Sequence, residues 1–285
     1  MSAGHDTIFA AARTRAAPRP WGRWGLRAAV ATYLGMMIVV PLAAVVERGL
    51  GGGLATFRDE IARPLAVDAL LLTVWTALLM TVVNAALGTL TAYVLVRYRF
   101  PGRRLLDGVV DLPFAIPTLV TGVMLVVLYG PQGTFGEWLA RADVRIIFAK
   151  PGIVLALLLV SYPFIIRTVQ PVLLELERGQ EEAAFTLGAS KWTTFRRVVL
   201  PSLAPAILTG SLLSFARALG EFGSIVVVAG NIPGRTLTAP VYVFGQIESQ
   251  NERGASAVSL VLLALSFSLI VGVDWLQRRR EAARV

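Results

Sequence analysis

The sequence predicts an all-α membrane protein built on six transmembrane helices, and three observations carry that expectation. Across 285 residues, mean hydropathy is +0.67, with 55% hydrophobic and only 16% charged residues, whereas a soluble domain carries about a quarter charged residues. The apolar residues come in six long runs. The first of them, 28–46, has nineteen residues, which at ~1.5 Å each reach about 28 Å, close to the hydrocarbon thickness of a bilayer. Finally, the basic residues gather in alternate connections, as a membrane topology requires.

Residues 1–27 hold Arg13, Arg15, Arg19, Arg23 and Arg27, with Trp21 and Trp24 at the edge of the first apolar run. The charge is like that of a signal-peptide start, but the apolar run that follows is too long for one. The tail is expected to lead into a retained span, and His5 is expected to be an ordinary tail residue. Span 1 covers 28–46 and is closed by Glu47 and the glycines from Gly49 to Gly53. Span 2 covers 70–96. A basic turn, Arg97 to Arg104 with Pro101-Gly102 inside it, follows. Span 3 covers 109–129. Its Pro113 and Pro117 remove backbone donors and are expected to kink the helix rather than to bind anything. Span 4 covers 152–169 with Pro163 inside, and Arg167 near its end is expected to snorkel to the interface. A polar loop, 175–201, leads to span 5 at 203–229. Span 6 covers 255–276, and a tail, 277–285, carries Arg278, Arg279 and Arg280.

Six spans put both termini on one side. Eighteen of the 27 basic residues fall on that side: five in the first tail, four in the 2–3 loop, five in the 4–5 loop and four in the last tail. The termini are therefore expected to be cytoplasmic. The net charge of +9 follows the topology and the anionic bilayer surface, so no nucleic-acid partner is expected. Cysteine is absent, which excludes disulfides and cysteine-based metal or redox chemistry.

The 175–201 loop is polar and helix-forming in an otherwise apolar chain. Leu176, Ala183 and Leu187 fall on one helical face, with Glu181 and Glu182 expected to point away from it. Gly188 is placed to end this helix in the left-handed conformation, and Ser190 to cap a second one. In the second helix Trp192, Phe195 and Val199 share a face, and Pro201 is expected to end it and start the next.

The run Glu182-Ala183-Ala184, three residues, Gly188, nine residues, Val198, one residue, Leu200-Pro201 resembles the signature loop of ABC-importer permeases. The resemblance implies a MetI-like permease fold, in which a coupling helix docks on a separate ATPase. It assigns that role to Glu181, Glu182, Ala183, Ala184, Gly188, Ala189 and Ser190. The chain has no G-x-x-x-x-G-K-[ST] loop, so it is not expected to be an enzyme. No catalytic residue, metal site or cofactor is expected in it, and ATP and Mg would be bound by the partner ATPase.

The stretches Asp111–Thr118, Pro163–Leu173, Phe215–Ser224 and Ala229–Pro233 resemble the sulfate/thiosulfate permeases, more the T-type subunit than the W-type, over about Leu70 to Leu276. Molybdate/tungstate permeases share the Arg-Ala-x-Gly-Glu-Phe-Gly pattern and remain the alternative. The resemblance implies two ATPase subunits, a second, W-type permease and a periplasmic sulfate-binding protein as partners, in a bacterial inner membrane. Within span 5, Arg217 and Glu221 are charges in an apolar run, counted about 21 Å from its cytoplasmic start. Two readings stand for them: an anion path lined by Arg217 and tuned by Glu221, or an i, i+4 pair that only neutralises itself. Gly220 and Gly223 flank Glu221 and permit close packing or local unwinding. A lone secondary transporter would show repeated interrupted helices, and an intramembrane enzyme would show a cluster of reactive side chains. Neither pattern is found.

Overall fold

The computed structural model describes residues 20–282. Arg13, Arg15, Arg19 and His5 of the first tail, and residues 283–285 of the last, lie outside the described residues. The chain divides into two units, 1–47 and 48–285. In the first, α1 (Pro20–Leu34) runs through a π-helical turn (Gly35–Val39) into α2 (Val40–Leu50). Residues 20–27 of the expected tail and span 1 are thus one helical run, in which Arg23 and Arg27 belong to α1. Arg27 lies over the Trp24 ring, 5.4 Å from its centroid, a cation–π contact suited to a membrane interface.

The second unit contains α3 (Gly53–Ile61), α4 (Pro64–Arg97), α5 (Arg103–Ala115), α6 (Thr118–Tyr129), α7 (Gly136–Arg141), α8 (Lys150–Glu175), α9 (Arg178–Thr186) and α10 (Lys191–Thr194). It continues through a second π turn (Phe195–Val199) into α11 (Leu200–Leu219), then α12 (Gly223–Val228), α13 (Ala239–Glu248) and α14 (Glu252–Ala282). Among the described residues five helical runs are long and apolar enough to cross a bilayer, or six if the bent pair α5–α6 counts as one span. Their outward faces carry large apolar side chains such as Leu71, Leu78, Val82 and Val127, as lipid-facing helices do.

Most spans run on past their apolar stretches. Helix α4 begins at Pro64, whose missing N–H is harmless in the first turn. Helix α8 extends to Glu175, and α14 runs through what the hydropathy marked as the tail from 277. A helix does not stop where lipid stops; its backbone bonds continue into water until a cap or breaker intervenes.

Two spans depart from the expectation in kind. Span 3 is broken, because α5 and α6 meet at a 114° bend across Ile116-Pro117. Pro113 is carried inside α5, whereas Pro117 is the N-cap of α6. Span 5 starts earlier and ends earlier than 203–229. Pro201 does not end a helix, since α10, the π turn and α11 form one run, Lys191–Leu219. The π turn shifts the backbone ladder, with Leu200 N–H donating to Phe195 O, just ahead of the amide that Pro201 lacks. At the far end α11 stops at Leu219, and after Gly220–Phe222 the chain resumes as α12.

Helices α4, α8 and α11 form the centre of the second unit. Leu72, Met80, Ile153, Leu157, Phe215 and Leu219 make one buried cluster. Leu95, Ile165, Ile166, Val169, Leu173, Val199 and Leu203 make another. Gly210 allows the α8–α11 approach: a Cβ there would sit 2.3 Å from Thr168 Oγ1 and 2.9 Å from Ile165 Cα. The centre thus brings the end of α4, the end of α8 and the start of the α10–α11 run to one end of the unit, beside α9.

Candidate functional site

That end carries the 175–201 loop. The chain leaves α8 at Leu176, which is extended (ψ 112°) and not helical. Glu177 is the N-cap of α9, and Gly188 follows the end of that helix at φ +83°, where an added Cβ would meet no atom within 4 Å. Glycine is required there by backbone conformation, not by space. Ser190 Oγ then accepts from Thr193 N at 3.2 Å and caps α10. Helix, glycine turn and capped helix form as the spacing predicts.

Glu182 is exposed as expected, but the rest of the α9 face pattern differs from the expectation. Leu187 is 88% exposed, whereas Glu181 is buried. Once Leu176 lies outside the helix, the apolar series loses its first member, and a partner for Glu181 decides the orientation instead. That partner is Arg97, the last residue of α4, with its Nη2 2.6 Å from Glu181 Oε1. The same nitrogen donates to the carbonyl of Leu176 at 3.2 Å. Tyr93 packs edge-on against Phe195, and Phe195 stacks on Trp192. These rings flank a cleft of about 480 Å³ beside the ion pair. Glu182, Ala183, Leu187, Gly188, Ser190 and Trp192 are left exposed, and Ala184 and Ala189 are half-buried. The result is a small, partly apolar knob whose inner carboxylate is tied down and whose outer one is free to meet a partner.

The second charged site is the gap between α11 and α12. Arg217 is two residues from the end of α11, and in the Lys191–Leu219 run it lies ~39 Å from the start. The depth of about 21 Å expected from hydropathy assumed a helix starting near 203. Its Nη1 is 2.7 Å from Glu221 Oε2. The other carboxylate oxygen, Oε1, accepts from Ser224 N at 2.9 Å and from Ser224 Oγ at 2.8 Å. Glu221 is 1% exposed, whereas the Arg217 side chain is 34% exposed. The carboxylate is fully engaged by the protein, while the guanidinium has five donors and directs only part of them inward. Gly220 and Gly223 do mark an unwound break. A Cβ at Gly223 would sit 2.3 Å from Thr118 Oγ1, so this break lies against the start of α6, beside the break at Pro117.

Arg167 is not a snorkelling anchor. It lies inside α8 and forks onto α5: Nε donates to Asp111 Oδ1 at 2.7 Å, Nη2 to Asp111 Oδ2 at 2.6 Å and Nη1 to Asp107 Oδ1 at 2.9 Å. Sequence reasoning missed this cluster, although the i, i+4 pair Asp107 and Asp111 in an apolar helix was a usable signal for a cationic partner. Among the described residues no group of His, Cys, Asp and Glu could hold a metal ion.

Long apolar helices, one span broken at Pro117 and an exposed helix–turn–helix knob are the features of a polytopic membrane protein. Residues 84–282 match the family described as the binding-protein-dependent transport system inner membrane component, and the chain belongs to that family. It is 44% identical over 245 residues to the probable sulfate transport system permease protein cysT of Nephroselmis olivacea, covering 86% of each chain. It is 42% identical over 247 residues to the sulfate transport system permease protein CysT of Escherichia coli (strain K12), covering 87% of this chain and 89% of that one. Among solved structures, it superposes on a bacterial ABC transporter involved in the import of the acidic polysaccharide alginate. The TM-score is 0.77 at 15% identity, over 92% of this chain and 96% of that chain, a likeness of fold. The inward-facing MetNI methionine ABC transporter gives a TM-score of 0.54 at 20% identity, over 76% of this chain and 98% of that chain. The chain is thus a multi-pass inner-membrane permease subunit of an ABC importer, not an enzyme. Its family serves transport systems that depend on a substrate-binding protein.

Proposed function

We propose that the chain forms half of the translocation path of an ATP-driven sulfate/thiosulfate importer and is driven through the α9–α10 knob. The observation that carries this is the knob itself: Glu182, Ala183, Leu187 and Gly188 exposed on a helix whose back is fixed by Arg97. In this reading Glu181 positions the element. Glu182, Ala183, Ala184, Gly188, Ala189 and Ser190 form the surface that docks in a groove of the ATPase, which binds ATP and Mg. Both termini lie in the cytoplasm, on the side of the knob, as the distribution of basic residues supports. A second permease of the W type completes the path, and a periplasmic sulfate-binding protein delivers the anion to the opposite face. ATP-driven closure of the ATPases moves the knob, and the loaded binding protein biases the outward-open state. Coupling then follows from differential contacts in two states.

Sulfate is favoured over molybdate because relatives 40–49% identical over most of the chain carry the sulfate name. Arg217 is the residue for the anion: it is partly exposed at a break between half-helices, and Glu221 holds it there. The test is uptake of labelled sulfate against labelled molybdate in cells whose own sulfate permease is deleted. Sulfate accumulation that requires this chain supports the reading, and accumulation of molybdate alone replaces it. Arg217→Gln is expected to insert normally and to lose uptake. Wild-type uptake would reduce the Arg217–Glu221 pair to self-neutralisation.

A further inference from the structure

We infer that Arg97 is the tie through which movement of the coupling knob is delivered to helix α4, making it a positioning residue for energy coupling. The inference rests on the coupling role proposed above and names the point where force enters the bundle.

Three elements meet on one guanidinium. Arg97 is the last residue of α4, a helix of 34 residues. Its Nη2 contacts Glu181 in α9 at 2.6 Å and the carbonyl of Leu176 at 3.2 Å. Leu176 is the C-cap of α8, so its carbonyl is one that a helix end leaves without an intrahelical donor. One side chain therefore holds the end of α4, the end of α8 and the knob. The side chains of Arg97 and Glu181 are 9% and 12% exposed. A charge pair this shielded from water resists separation far more than an exposed one. Tyr93, one turn before Arg97, extends the grip to the other half of the knob through its edge-on contact with Phe195, 5.3 Å between centroids.

The extended link Leu176-Glu177 would by itself allow α9 to swing on α8, since backbone outside a helix is free to rotate. The Arg97 tie removes that freedom. With it, α9 and α4 move as one body. Without it, the ATPase could still grip and move α9 while the bundle stayed behind. The expected signature of losing Arg97 is futile hydrolysis, not loss of docking.

The experiment uses the assembled importer in proteoliposomes with its ATPase, second permease and binding protein, measuring labelled sulfate uptake and ATP hydrolysis together. Arg97→Gln and Glu181→Gln are each expected to retain the ATPase on size exclusion and to lower sulfate moved per ATP by about fivefold or more. The exchanged pair, Arg97→Glu with Glu181→Arg, is expected to recover much of that ratio. A ratio for Arg97→Gln within about twofold of wild type overturns the inference and leaves docking through the knob intact. Failure of the wild-type chain to hold the ATPase at all would remove the coupling reading itself. Should the variants not assemble, the wild-type backbone decides. Spin labels at Ala183→Cys on α9 and Leu90→Cys on α4 should keep their separation with and without ATP. A change of about 5 Å, one helical turn, would show that the two helices are not tied.

Discussion

Glu181 and Glu221 are both buried carboxylates held by one arginine, at 2.6 and 2.7 Å, yet they do different work. Glu221 closes a local circuit. Its arginine lies one turn before it and its other acceptor oxygen serves Ser224, so the pair fixes the geometry of a single break in a single strand of chain. Glu181 closes a long circuit, joining α9 to the end of α4 and, through Leu176, to the end of α8. In the proposed reading the local pair shapes the anion path and the long pair carries the knob's movement into the bundle. A buried charge in this chain is thus informative through what it connects, not through its depth.

Four substitutions, three of them paired with a comparison variant, would break or sharpen that contrast. The largest effect is expected from Glu221→Ala. It leaves Arg217 without its carboxylate and Ser224 without its acceptor inside the bundle, a loss of about 3 kcal/mol that should appear as a clearly lower thermal midpoint in detergent. Glu181→Ala strands Arg97, whose side chain is only 9% exposed, and should lower that midpoint by a comparable amount. Next is Gly210→Leu, expected to cost about 1–3 kcal/mol by forcing α11 away from Thr168 and Ile165, and to reduce the yield of folded protein. Gly220→Ala is its control and should be near neutral, because nothing lies within 4 Å of the added carbon. Gly188→Val should cost about 1–2 kcal/mol, confined to the knob. It should abolish co-purification of the ATPase while the thermal midpoint holds, and Gly188→Asn should be milder. The smallest effect is Ser190→Ala, about 1 kcal/mol of capping. It would be read as faster amide exchange at Thr193 without loss of uptake under saturating conditions.

The parts legible in the sequence are those set by local chemistry. Hydropathy pointed to the apolar helices, five of them long enough to span or six with the bent pair, and Gly188 and Ser190 announced their turn and cap because neither needs a distant partner. The Arg217–Glu221 pair was legible for the same reason, its partners being only four residues apart in the chain. The orientation of α9 was not, because the apolar series through Leu176 and Leu187 was outweighed by a buried ion pair to Arg97, far back in the chain. Arg167 was misread in the same way: its partners Asp111 and Asp107 lie 56 and 60 residues away. Prolines were legible as perturbations but not in magnitude. Pro117 coincides with a 114° bend because α6 finds its own packing against α12 through Gly122 and Gly223. Pro201 ends nothing, because a π turn precedes it. Propensity names the weak point of a helix, and tertiary packing decides whether it yields.

Docking of the α9–α10 knob on a separate ATPase can be tested most directly at Leu187, which is 88% exposed at its tip. The chain has no cysteine, so Leu187→Cys gives a unique thiol. In right-side-out vesicles a membrane-impermeant maleimide should leave it unlabelled. In the assembled importer a thiol cross-linker should join it to the ATPase subunit and to nothing else. Labelling from outside, or a cross-link to the binding protein in place of the ATPase, would contradict docking through the knob.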